Sequence, residues 1–173
     1  MGNCLSDETA PNKKQNHHEN ELKYGIYDEL KEFTFENLIT KCKIVDVYDG
    51  DTITIVFYYD DKPTKVKFRL CEIDTPEVKP KKDTPHYELH KQAGIIARDR
   101  LREKILEKVL WVKFTEKEKY GREMGYIYDT EKFNENNKSI NRWIIDEKLG
   151  KEYKGGKKMD FNKDELLNII VKD

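Results

Sequence analysis

Apolar and polar side chains alternate along the first ordered-looking stretch of this chain. Ile44, Val45 and Val47 lead into Asp49-Gly50, and Ile53, Ile55, Val56, Phe57, Tyr58 and Tyr59 follow it, which is a β-hairpin signature. A turn at Asp60-Asp61-Lys62-Pro63 delivers the chain into residues 65–73, where Val66, Phe68 and Leu70 alternate with Lys65, Lys67 and Arg69. A period of two predicts three consecutive antiparallel strands. Pro76, Pro80 and Pro85 then break the chain, and the period changes. Leu89, Ala93, Ile96, Ala97, Leu101 and Ile105 recur at helical spacing through a charged segment ending near Lys108. Two further strands, over 110–114 and 124–128, flank a polar loop with a turn at Tyr120-Gly121-Arg122. Ile140, Ile144, Ile145 and Leu149 predict a short second helix ending around Gly150. Beyond a break at Gly155-Gly156 comes one modest helix over 164–171.

Five strands with a helix after the third match the five-stranded Greek-key barrel of the OB-fold, here mainly β with two to three helices. Before the barrel the pattern fades. Residues 1–24 carry few apolar side chains and predict a disordered tail, because they cannot offset the entropy of ordering. Residues 25–38 add Ile26, Leu30, Phe33 and Leu38, enough for a short helix or linker, and residues 39–173 form the domain.

Composition sharpens this division. The 173 residues are 39% charged and 36% hydrophobic, so the core is concentrated in part of the length. No run approaches the ~18 apolar residues of a spanning helix, and the first thirty residues lack the apolar run of a secretory signal. Net charge is −1, divided as −4 over residues 1–38 and +3 over the rest. So small a positive balance does not argue for nucleic-acid binding; local clusters must. Cys4, Cys42 and Cys71 have neither disulfide nor metal-ligand spacing, and their odd number suits a reducing compartment, so neither a disulfide nor zinc is expected.

Two acidic clusters sit at strand ends: Asp49-Gly50-Asp51-Thr52 and Asp74-Thr75-Pro76-Glu77. Carboxylates held close together need a cation, so convergence of Asp51, Asp74 and Glu77 would ask for a hard metal, with calcium the natural candidate. Arg69 alternates out of the apolar face of its strand, and Arg122 follows a turn glycine. Guanidinium forks grip phosphate oxygens bidentately and stay charged, which suits attack on a phosphodiester. Taken singly, each feature is more often a turn, a strand end or a solvated face. Their joint occurrence at compatible strand ends supplies what phosphoryl transfer needs.

The runs Asp49-Gly50-Asp51-Thr52, Phe68-Arg69-Leu70-Cys71-Glu72-Ile73-Asp74-Thr75-Pro76-Glu77, Lys119-Tyr120-Gly121-Arg122 and Tyr126-Ile127-Tyr128 resemble, in order and spacing, the staphylococcal nuclease (thermonuclease) family over residues 39–153. The resemblance implies a calcium-dependent nuclease on an OB-fold barrel that cleaves DNA and RNA with little sequence preference. By position it implies that Asp51, Asp74 and the backbone carbonyl of Thr75 ligate calcium. Glu77 would be the general base for water, Asp49 an outer partner of the metal site, and Arg69 and Arg122 the phosphate grips. Cleavage in the family breaks the bond to the 5′ oxygen and leaves 3′-phosphate ends. Tyr153 fills one of the family's two nucleotide-pocket tyrosines, while Lys154-Gly155-Gly156 stands where the second would be. The third helix is also shortened. Lys79-Pro80-Lys81-Lys82 corresponds to a flexible basic loop, in which Lys81 and Lys82 would steer a polyanion; an ordinary solubilising loop fits it equally. His17, His18, His86 and His90 show no catalytic pairing and read as surface histidines.

Met1-Gly2-Asn3-Cys4-Leu5-Ser6 fits an N-myristoylation pattern at Gly2, with Cys4 beside it for palmitoylation. One acyl chain binds membranes marginally and two anchor. The expectation is a monomeric, acylated nuclease at the cytoplasmic face of a eukaryotic membrane, or a cytoplasmic one otherwise, with DNA and RNA as partners. A catalytically inactive OB-fold module that only binds nucleic acid stays open as the alternative.

Overall fold

The computed structural model describes residues 13–28, 33–118, 121–156, 158 and 160–171, and the chain divides into two units, residues 1–33 and 34–173. In the first unit Lys13–Tyr24 forms a helix, α1, where composition predicts a disordered tail. Its described side chains, residues 18–24, are all exposed. Local propensity accounts for it, since Lys, Gln, Glu and Leu favour helix without any burial. Of the two forms expected over 25–38, short helix or linker, no helix is present among the described residues 25–28 and 33–38. Phe35 is instead turned inward and buried, beside Asn37 at φ 67°.

The second unit is built on a closed barrel. Strands β1 (Ile39–Val47), β2 (Thr52–Tyr59) and β3 (Lys62–Leu70) form an antiparallel meander, and the barrel closes in the order β1, β2, β3, β6, β5. Here β5 is Val109–Phe114 and β6 is Glu123–Tyr128. β3 runs parallel to β6, and β1 pairs antiparallel with β5, so the sheet has no free edge. This is the five-stranded OB-type barrel.

Inward residues follow the period of two: Ile53, Ile55 and Phe57 on β2, Phe68 and Leu70 on β3, Leu110, Val112 and Phe114 on β5. β1 departs from it. Cys42, Ile44 and Val47 are all buried, and the odd step from 44 to 47 is absorbed by a β-bulge between Ile44 and Asp46. Phe35, Phe57, Phe68 and Phe114 form a chain of ring contacts with centroids 5.2–5.6 Å apart in the core. On β6, Gly125 permits a close approach that no side chain could share, since a Cβ there would lie 2.0 Å from the Lys113 carbonyl oxygen.

Two boundaries differ from the sequence reading. Asp60 and Asp61 alone make the β2–β3 turn, both at positive φ (49° and 55°) as a twisted two-residue hairpin requires, and Lys62 and Pro63 already pair with Tyr59 and Tyr58. The strand expected over 65–73 stops at Leu70. Glu72 turns to φ 60°, and Ile73–Asp74 restarts as β4, pairing with Lys151–Glu152, β7, in a separate two-stranded ladder.

Helix α2 (Tyr87–Ile105) buries Ala93, Ala97, Leu101 and Ile105 in the core. Helix α3 (Ile140–Asp146) is capped by Ser139, whose Oγ accepts from the Arg142 N–H, and ends earlier than expected because Lys148 turns to φ 59°. Helix α4 (Lys163–Val171) buries Leu166 and Ile169 and packs on α2. With α1 the described residues hold four helices, where the sequence predicts two to three.

Candidate active site

Three connections on one rim of the barrel carry the predicted residues. The β1–β2 turn holds Asp49 and Asp51. Its main chain is set by Tyr48 N–H and Asp49 N–H, both donating to the Thr52 carbonyl, and by Leu70 N–H donating to the Asp51 carbonyl. β4 and the loop after it hold Asp74, Thr75 and Glu77. Gly50 makes the meeting of these two segments possible, since a Cβ on it would lie 2.8 Å from Thr75 Oγ1. The turn before β6 holds Arg122, with Gly121 at φ 82°.

Arg69 is the hub. It is 6% exposed, and its Nη2 lies 2.7 Å from Asp51 Oδ2 and 3.6 Å from Asp74 Oδ1. Asp51 and Asp74 are themselves buried, so one guanidinium lies between two carboxylates withdrawn from water. Burial pushes the Asp51 carboxyl up to about 6; the nearby Arg69 charge and the hydrogen bond from Thr52 Oγ1 counter that rise only in part. Asp49 is raised as well, by burial, against the pull of the Val78 N–H that donates to its Oδ1 at 3.1 Å. That bond ties the β1–β2 turn to the segment just beyond Glu77.

Arg122 sits at the edge of this cluster. Its Nη1 is 3.5 Å from Thr52 Oγ1, the same hydroxyl that donates to Asp51 Oδ1. Glu118 holds the guanidinium bidentately, at 2.5 Å on Nε and 2.9 Å on Nη2, and this hydrogen bonding raises the Arg122 pKa further. Nothing in the sequence singled out Glu118.

Another cation in the site was also missed. The Lys158 ammonium lies 2.6 Å from Asp74 Oδ1 and 3.4 Å from Glu77 Oε1. Burial alone would lower its pKa, but hydrogen bonding and charge from Asp74 outweigh that, and the net shift is upward. Glu77 is half exposed and lines a cleft of about 420 Å³ with Asp74, Thr75, Lys81, His90 and Lys158. His90 is buried rather than a surface histidine. Its ring stands edge-on to Phe161 at 5.8 Å, and burial lowers its pKa. Lys82 is exposed beside this cleft and is not among its lining residues. Tyr153 is half-buried and lines a larger cleft of about 740 Å³ with Arg69, Leu70 and Met124. Gly2 and Cys4 lie outside the described residues.

Two observations bear on a metal ion. Among the described residues, no three acidic, histidine or cysteine side chains form a group able to hold one by themselves. Yet two buried carboxylates face the site, Thr75 Oγ1 is buried without a hydrogen-bond partner, and an ammonium already stands against Asp74 and Glu77. A hard cation fits this donor set if neutral oxygens complete its coordination.

A closed five-stranded barrel carrying buried carboxylates and two arginines at its rim defines an OB-type domain of the nuclease or nucleic-acid-binding class. Residues 67–171 match the family described as staphylococcal nuclease homologue, and the chain belongs to that family. None of the curated proteins matches the chain. The family match begins at Lys67, so Asp49 and Asp51 lie outside it, and the barrel's folding alone brings Asp51 to Arg69.

Proposed function

We propose that this protein is a calcium-dependent nuclease that hydrolyses phosphodiester bonds in DNA and RNA. The observation carrying this reading is the convergence of Asp51, Asp74 and Arg69, drawn from segments far apart in the chain, beside the half-exposed Glu77. Asp51, Asp74 and the Thr75 carbonyl would hold the calcium, which when bound neutralises the charge that builds on the phosphate. Glu77 takes the proton of the attacking water, and its exposure to the cleft gives water access. Arg69 and Arg122 bind phosphate oxygens and stabilise the added negative charge of the transition state. Arg122 must exchange Glu118, and Arg69 its contacts with Asp51 and Asp74, for phosphate and calcium to take these places. The bond to the 5′ oxygen breaks, Arg122 assists that leaving group, and the 3′-phosphate remains. Asp49 holds the loop through Val78, Tyr153 offers a stacking face for a base, and Lys81 and Lys82 attract the polyanion.

Acylation at Gly2 and Cys4 would tether this activity, carried by a monomer, to the cytoplasmic face of a membrane. A membrane-flotation assay of the full chain against Gly2→Ala tests that part separately.

A second reading, a catalytically idle nucleic-acid-binding barrel, has two observations in its favour: Lys158 is seated on Asp74 and Glu77, and Glu118 on Arg122. The two readings part on labelled single-stranded DNA incubated with purified protein in millimolar calcium or in chelator. The nuclease reading expects cleavage with calcium and none in chelator. Intact DNA that is nevertheless retarded in a gel would establish the idle module instead.

A further inference from the structure

The described residues just after β7 and those just before α4 are each tied down. Tyr153 N–H donates to the Glu72 carbonyl at 2.9 Å, extending the β4–β7 ladder by one bond. The chain then turns at Gly155 and Gly156, both at positive φ (89° and 85°), where a side chain would be strained. The Tyr153 hydroxyl donates to the Gly156 carbonyl at 2.8 Å and fixes that turn. Lys151 holds the residues before α4. Its Nζ donates to the Asp160 carbonyl at 3.0 Å and lies 4.1 Å from the centre of the Phe161 ring. Asp160 and Phe161 are thereby tied to Lys151, the cross-strand partner of Asp74.

Lys158 falls between these tied residues in the chain and is exposed, yet its ammonium reaches Asp74 Oδ1 and Glu77 Oε1, the ligand and the base of the proposed reaction. An ammonium and a divalent ion cannot both occupy oxygens this close without severe like-charge repulsion. We propose that Lys158 is a tethered competitor for the calcium seat, so that metal binding requires its ammonium to leave. This rests on the calcium-dependent reading above. While the ammonium is seated it shares Asp74 Oδ1 with the Arg69 guanidinium, 3.6 Å away, and occupies the side of that oxygen nearest Glu77.

The strength of the effect follows from competition. If the seated form holds about nine-tenths of the population, the apparent calcium affinity is reduced about tenfold relative to the open form. Isothermal titration of calcium into the full-length protein and into Lys158→Met measures this without any substrate. The expected result is a dissociation constant about tenfold lower in the variant. Equal or weaker calcium binding by Lys158→Met would overturn the competitor role while leaving the nuclease reading standing. Absence of calcium binding by both proteins would overturn the calcium reading itself, and this inference with it.

Discussion

Gly94 lies on the buried face of α2 against the loop that carries Glu77, and replacing it by alanine separates the positioning of the site from the stability of the barrel. A Cβ at this position would lie 2.5 Å from both the carbonyl carbon and oxygen of Glu77 and 2.8 Å from the Pro76 carbonyl oxygen. All three are backbone atoms, so no side-chain rotation relieves the overlap. Ordinary contact begins near 3.4 Å, so the loop must retreat by roughly 1 Å. Overpacking of this kind costs about 1–3 kcal/mol. Alanine recovers about 1 kcal/mol over glycine within a helix, so the net loss of stability is about 0–2 kcal/mol. The effect on chemistry is larger, because a misplacement of about 1 Å in a reacting group can lower turnover on the order of 100-fold. Gly94→Ala should therefore unfold within a few degrees of the wild type in a thermal melt while losing most of the calcium-dependent cleavage of single-stranded DNA proposed for the wild type. Turnover within twofold of the wild type would refute the argument that the α2 contact sets the position of Glu77.

Other outcomes follow from the same geometry. Asn141 is buried and makes three hydrogen bonds: its Oδ1 accepts from Ile127 N–H, and its Nδ2 donates to the Cys71 and Gly125 carbonyls. Asn141→Ala strands those partners, and chemical denaturation should register a loss of about 2–4 kcal/mol; a loss below about 0.5 kcal/mol would contradict the bridging role. His90 is held with its pKa below the unfolded value of 6.5, so as pH falls from there the unfolded chain takes up the proton first and stability is lost. In urea titrations from pH 8 to 5, the stability advantage of the wild type over His90→Gln should shrink as pH falls, and a pH-independent difference would contradict the assignment. Arg69→Ala should lower turnover by orders of magnitude, since it removes a charge that both buried carboxylates face; undiminished cleavage would remove Arg69 from the reaction.

Much of this barrel was legible because each strand buries one face, which writes the period of two directly into residues such as Ile53, Ile55 and Phe57 or Leu110, Val112 and Phe114. The misreadings have local causes. Val47 falls out of phase with Ile44, and only the pairing with β2 reveals the bulge that restores it. The apparent strand over 65–73 is broken because Cys71 N–H turns to the Gly125 carbonyl while Glu72 swings to φ 60° and hands its carbonyl to Tyr153. α1 formed from propensity in a segment with no apolar face to announce it. For the site, the two acidic runs and both arginines could be read from their motifs. Lys158 and Glu118 could not, being single charges in a chain with 33 basic and 34 acidic residues. What distinguishes them is the approach of the Lys158 ammonium to Asp74 and Glu77 and the Gly121 turn that folds Arg122 back over Glu118, both products of tertiary structure.

The central claim is that Glu77, Asp51, Asp74 and the arginines act as one phosphodiester-cleaving unit. The most direct test is the steady-state rate of single-stranded DNA cleavage by the full chain and by Glu77→Gln, both at saturating calcium, with DNA binding measured alongside. The variant should bind DNA as the wild type does but cleave it at least about 100-fold more slowly, the loss expected when a general base is removed. Equal rates for the two proteins would contradict the central claim.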